Sequence, residues 1–197
     1  MRPGTKAVIG VGGNIGTGKT TVSKMFAELG ARYVSADEIG WEVLPEIVEE
    51  LEAEFGKAIV SGRKVNKEKL REVVFTDGEK LRFLNRTSHP LLTRRIIGQV
   101  EAIRSGKVVI DAALLFDWPE VYDIVDYPIL VRSKRELMLS RAKAKGISEK
   151  LFESIVSLQR NDEEVLGMAS YVIENNGTMS ELRTRCQLIY EEISHDC

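Results

Sequence analysis

Lys6-Ala7-Val8-Ile9-Gly10-Val11, then Gly12, then Gly13-Asn14-Ile15-Gly16-Thr17-Gly18-Lys19-Thr20-Thr21, is the stretch on which the fold turns. The apolar run predicts a short buried parallel strand. Residues 13–20 fit G-x-x-x-x-G-K-[ST], a loop whose glycines accept positive φ and turn backbone N–H groups inward onto phosphates. Behind it Val22, Met25, Phe26 and Leu29 recur at helical spacing and stop at Gly30. A helix over residues 20–29 therefore points its positive end at the same anion. In this reading residues 13–21 hold a nucleoside triphosphate. Lys19 reaches its outer phosphates and the Thr20 hydroxyl coordinates Mg²⁺. The spacing does not fit G-x-G-x-x-G, which argues against a dinucleotide oxidoreductase.

Working outward, Arg32-Tyr33-Val34-Ser35 reads as a second strand, with Asp37 just past its end. Strand, loop, helix, strand is a βαβ opening, which makes the sheet parallel. The middle third is helical. Pro45 opens a helix with Ile47, Val48, Leu51 and Phe55 on one face, and Asn66 caps another that runs to Phe75. Residues 79–84 continue the pattern, and Pro90 is expected to open a longer helix to about Ser105. Lys107–Asp111, Ile129–Arg132 and Tyr171–Ile173 supply three more strands. Ser133…Glu136 and Thr178…Glu181 read as capping boxes, and Ser148 as a cap for a helix to about Arg160. Five strands alternating with helices predict an α/β fold with a doubly wound, five-stranded parallel sheet.

The chain has 197 residues, 43% of them apolar and 29% charged, enough for a core and too mixed for disorder. A net charge of −2 supplies no basic field for nucleic acid. No apolar run reaches membrane-spanning or signal length. The two cysteines, Cys186 and the last residue Cys197, fit a reducing, cytoplasmic setting, and no Cys/His cluster has zinc spacing.

A GTPase would carry D-x-x-G and N-K-x-D, but Asp111 is followed by Ala-Ala-Leu and no N-K-x-D occurs. An ABC-type ATPase would be longer. Small-metabolite kinases remain. Asp37 lies where the carboxyl ends of parallel strands meet, so it can face the γ-phosphate and take an acceptor hydroxyl's proton. It can equally cap the helix that follows. Asp111 ends the third expected strand, where a carboxylate near Mg²⁺ would sit or where an acid merely closes a strand. Asp117 is the other candidate. Charge is segregated: residues 41–54 hold six Glu and no Lys or Arg, whereas residues 63–95 hold ten Lys/Arg against four Asp/Glu. Residues 132–160 hold eight Lys/Arg against three Asp/Glu. A basic insertion and a basic lid suit an anionic acceptor and a triphosphate, and solvated helix faces are the plainer reading.

The order and spacing of further segments resemble the dephospho-coenzyme A kinase family along nearly the whole chain. The phosphate loop, Ser35-Ala36-Asp37, Phe55-Gly56, Leu70-Arg71, Val74-Phe75, Leu84-Asn85 and His89-Pro90 carry the resemblance in the first half. Leu114-Leu115-Phe116, Gln159 and Val172-Ile173-Glu174-Asn175-Asn176-Gly177 carry it in the second. It implies ATP-dependent, Mg²⁺-assisted phosphorylation of the ribose 3′-hydroxyl of dephospho-CoA, with Lys19 and Asp37 catalytic. It further implies Arg141, Asn175 and Gly177 on the ATP side, and Arg71, His89, Leu114 and Asp117 on the acceptor side. Residues 1–40, 100–132 and 161–197 would form the nucleotide-binding core, residues 41–99 the acceptor-binding insertion and residues 133–160 a lid. ATP and dephospho-CoA are the expected small-molecule partners; nucleic acid, membrane and protein partners are not indicated. Ser35 departs from the family's first Asp of D-A-D, Asp117 from its Glu, Lys67 and Lys145 from common Arg, and Ser170 from Asp. His89 could equally be a helix-entry residue, and Trp41 and Trp118 could stack on a ligand or simply pack. Another small-metabolite kinase, for a nucleoside monophosphate or sugar, and a non-catalytic nucleotide-binding protein are the competing readings.

Overall fold

The computed structural model describes residues 6–62 and 64–196. Strand β1 (Lys6–Gly12) leads through the glycine loop into helix α1 (Lys19–Glu28), then β2 (Arg32–Ser35) and α2 (Ala36–Val43). Next come α3 (Val48–Phe55), a hairpin of β3 (Val60–Ser61) and β4 (Lys64–Val65), α4 (Lys67–Phe75) and the 25-residue α5 (Gly78–Ala102). The chain returns through β5 (Gly106–Asp111), α6 (Pro119–Tyr122), β6 (Tyr127–Arg132), α7 (Arg135–Ala144), α8 (Glu149–Leu158), α9 (Asp162–Val165), β7 (Tyr171–Glu174) and α10 (Met179–Asp196). The five-stranded sheet has the order β2-β5-β1-β6-β7, every neighbouring pair parallel. The expected fold class stands.

Parallel strands need apolar cover on both faces. Here α1 and α10 cover one face, burying Val22, Phe26, Cys186 and Ile189 against Ile9, Val109 and Ile129. The other is covered by α2 and the second half of α5, with Ile39, Ile96 and Val100 against Val8, Val108 and Ile110. A separate small core of Leu44, Leu51, Ile59, Leu70 and Val74 holds residues 44–75 together. Met138, Ala142 and Phe152 fasten α7 to α8. Among the described residues no helix is long and apolar enough to cross a membrane.

Three expectations need correction. Pro90 does not open a helix: it lies inside α5, which Asp77 caps by accepting from the amides of Glu79 and Lys80. The lost amide is tolerated because the helix is packed along its length, by Leu84 and Leu91 on the small core and by Leu92, Ile96 and Val100 on the sheet. Ser133 is not a cap either: its hydroxyl donates to the carbonyl of Asn175 at 2.8 Å, and α7 starts after Lys134 with no side-chain cap. Pro45 opens only a single 3₁₀ turn, Leu44–Glu46, and α3 starts at Val48. Asn66, Ser148 and the Thr178–Glu181 box cap as expected.

Candidate active site

The phosphate loop is shaped by positions that admit no side chain. Gly16 and Gly18 have φ of 80° and 94°, and a Cβ on them would collide with the Met138 carbonyl and the Asn175 amide respectively. Thr17 is fully buried and turned inward, its hydroxyl donating to the Asn14 carbonyl at 2.8 Å. That bond closes the loop on itself. The Ile15 amide donates to Gln159 Oε1 at 2.9 Å, and Asn14 Nδ2 donates to the Arg160 carbonyl and Asp162 Oδ1. From beneath, Asn175 Nδ2 donates to the Thr17 carbonyl at 2.8 Å. Arg141 donates to the carbonyls of Gly16, Thr17 and Asn175 and to the Ser133 hydroxyl. Asn175 and Arg141 are therefore braces under the loop. Gly177 lies beyond them, too close to the Glu181 side chain to carry a Cβ without displacing it.

Lys19, Thr20, Asp111 and Asp37 converge at the mouth of this loop. Register explains the convergence: Asp111 pairs with Val11 on one side and with Ser35 on the other. Asp111 is only 5% exposed. Burial pushes its pKa up, while the Lys19 charge, the Thr20 hydroxyl and the Tyr33 hydroxyl favour the ionised form and the Asp37 charge opposes it. Its Oδ2 accepts from Tyr33 at 2.9 Å, and its Oδ1 is buried with no partner. Asp37 is exposed in the first turn of α2; the cap of that helix is Ser35, which accepts from the Glu38 amide at 3.2 Å. That removes the capping role left open for Asp37.

Beside Asp37 a cleft of about 310 Å³ opens between the insertion, the sheet edge and α8. Arg71, Trp41, Leu114 and Trp118 line it with Leu70 and Leu158. Lys67 Nζ and the Arg71 guanidinium lie 4.8 and 4.9 Å from the Trp41 ring centroid, so Trp41 carries two cations at the cleft's side. Two residues expected on the acceptor side do not line this cleft. His89 stacks behind Trp118 with ring centroids 5.0 Å apart and faces a different groove, with Thr93 and Arg94. Asp117 lies in a crevice under Gly13 and Asn14, 3.8 Å from Arg160, and burial raises its pKa against that cation. Sequence reasoning missed Tyr33 and the bracing role of Gln159, whose partner is 144 residues away.

An unpartnered buried carboxylate oxygen beside a Thr hydroxyl would fit Mg²⁺ held jointly with substrate phosphates. A triphosphate grip whose outer end opens on a second, apolar cleft suits an enzyme that hands a phosphoryl group to another molecule, and the class is the P-loop kinases. The profile of the dephospho-CoA kinase family matches residues 7–181, and the chain belongs to that family of ATP-dependent kinases. It is 32% identical over 204 residues to the dephospho-CoA kinase of Chlorobaculum tepidum, covering 98% of each chain. To that of Aquifex aeolicus it is 35% identical over 196 residues, 95% of this chain and 98% of the relative. A solved structure from Thermus thermophilus superposes with a TM-score of 0.77 at 26% identity, over 95% of this chain and 97% of that one.

Proposed function

We propose that this chain transfers the γ-phosphoryl group of ATP to the ribose 3′-hydroxyl of dephospho-CoA, giving coenzyme A and ADP in the cytoplasm. The observation that carries the reading is the position of Asp37, on the lining of the acceptor cleft and within electrostatic reach of Asp111 at the loop mouth. The loop amides and Lys19 hold the outer phosphates. Thr20 and Asp111 Oδ1 would hold Mg²⁺, which neutralises charge on the transferring group when bound. Asp37 orients the acceptor hydroxyl: its oxygen bonds to the γ-phosphorus, the bond from that phosphorus to the departing ADP oxygen breaks, and the proton passes to Asp37. Arg71 and Lys67, supported on Trp41, face the anionic part of the acceptor. Residues 41–99 serve as the acceptor-binding segment and residues 133–160 as the lid. The second half of α5 serves the sheet as well, so the insertion is not an independent unit.

The test is ADP release, followed through a coupled assay over a panel of dephospho-CoA, nucleoside monophosphates and sugars. Dephospho-CoA should be the acceptor that turns over. Release with another acceptor and none with dephospho-CoA would overturn the assignment while leaving the kinase class intact.

A further inference from the structure

The Tyr33–Asp111 pair has no part in the chemistry described so far. Tyr33 sits on β2 opposite Val109, two residues before the Ser35–Asp111 pair, so its side chain and that of Asp111 share a face of the sheet. A long ring can reach that diagonal neighbour. The ring packs at the border of the core formed with α1 and α10, which fixes where its hydroxyl points. From there the Tyr33 hydroxyl donates to Asp111 Oδ2.

An aspartate carboxylate turns over a broad, roughly two-fold torsional profile. Asp111 is 5% exposed, so water does not select its orientation. The Tyr33 hydroxyl, at 2.9 Å, does: it takes Oδ2 and leaves Oδ1 as the oxygen without a partner. Lys19 and Thr20, the first two residues of α1, also neighbour Asp111.

We infer that Tyr33 is a positioning residue for the nucleotide-bound metal: it pins one oxygen of Asp111 so that the other is presented at the mouth of the phosphate loop. The inference rests on the assignment of Asp111 and Thr20 to the Mg²⁺ side. It is independent of the acceptor, because it concerns how nucleotide and metal bind.

The experiment measures calorimetric binding of a non-hydrolysable ATP analogue, with and without Mg²⁺, to the full chain and to Tyr33→Phe, Asp111→Asn and the double variant. No acceptor is present. Removing the hydroxyl should reduce the metal-dependent gain in affinity about three- to tenfold, the loss of one charge-assisted hydrogen bond, and leave metal-free binding within twofold. In the Asp111→Asn background the same change should add nothing. Mn²⁺ bound with the analogue should show an altered electron paramagnetic resonance line in Tyr33→Phe. An unchanged metal-dependent gain in Tyr33→Phe would overturn the inference, as would a full additional loss in the Asp111→Asn background. Absence of any metal-dependent gain in the unmodified chain would instead sink the Mg²⁺–nucleotide assignment itself. Thermal unfolding of Tyr33→Phe close to that of the parent separates positioning from general damage, and a variant that fails to fold is replaced by Asp111→Asn, which must lose the same gain.

Discussion

Arg141 offers the sharpest test of how the phosphate loop is held. Its guanidinium reaches the carbonyls of Gly16 and Thr17 at 3.3 Å each, the Ser133 hydroxyl at 3.0 Å and the Asn175 carbonyl at 2.9 Å. One side chain thus ties α7 to the loop and to the turn after β7. On truncation to Ala, Thr17 O keeps its bond from Asn175 and Asn175 O keeps its bond from Ser133. Gly16 O loses the partner it has. Hydrogen bonds from a charged donor contribute about 1.5–3 kcal/mol each and long ones less, so with two acceptors still satisfied the loss is roughly 2–3 kcal/mol. For a chain of this size that lowers the melting temperature by roughly 4–12 °C. A loop no longer braced must be ordered by the nucleotide itself, which weakens ATP binding by about tenfold, or ~1.4 kcal/mol. Turnover at saturating ATP should stay within about threefold, because the phosphate contacts re-form once ATP is bound. Arg141→Lys should recover little, since a compact ammonium cannot span acceptors in three segments. Differential scanning fluorimetry, calorimetric ATP binding and kcat at saturation decide the matter. A melting temperature within a degree of the parent together with a hundredfold drop in kcat would refute the brace, and would mean that the guanidinium acts on the transferring phosphates.

Lys19→Ala removes the cation proposed to hold the outer phosphates and should lower kcat by about 10²–10³, read in the coupled ADP assay; a near-normal kcat would contradict that role. Asp37→Asn should bind ATP normally by calorimetry and lose about 10²–10⁴ in turnover, with unchanged turnover rejecting Asp37 as the group that receives the proton. Asp111→Asn should bind Mg²⁺–nucleotide more weakly yet melt higher than the parent at pH 7–8 in metal-free buffer. The sign follows from the raised pKa of Asp111: a carboxyl whose folded pKa exceeds its unfolded value stabilises the fold below the unfolded value, and that contribution is lost as pH rises through the folded one. The gain from the amide should therefore shrink as pH falls toward the carboxylate range. A variant that melts lower than the parent at every pH would overturn that account.

What the sequence disclosed tracks how local each interaction is. The phosphate loop is contiguous, and its spacing alone foretells the positive φ found at Gly13, Gly16 and Gly18. The strands were legible because parallel strands are apolar on both faces, and Asn66 and Ser148 because a cap acts within three residues. Pro90 misled because a helix break is a local expectation, and α5 is held across it by packing from two separate cores. Ser133 misled for the converse reason: a cap residue by spacing, it spends its hydroxyl on Asn175, 42 residues on. The resemblance puts His89 and Asp117 on the acceptor side, they line other grooves than the one beside Asp37, and nothing in a linear pattern says on which side of Trp118 or of the loop a side chain falls. Tyr33 carries no motif; its partner lies 78 residues away on the adjacent strand.

Strand order explains why these distant residues form one site. With β1 central and β5 between it and β2, the carboxyl ends of three strands lie side by side. Val11 pairs with Asp111, and the Ala112 amide continues the ladder to the Val11 carbonyl at 3.1 Å, so β5 cannot slip against the strand that launches the loop. Ser35 pairs with Asp111 from the other side, and two residues further on the chain presents Asp37. A slip of one residue would turn Asp111 to the opposite face and bury its charge on the side of Val8, Val34 and Ile96. That misplacement is opposed because an unpaired carboxylate is costly in an apolar core. The register that keeps the Asp111 carboxylate out of the apolar core is the one that aims it at the phosphate loop, so stability and chemistry select one register.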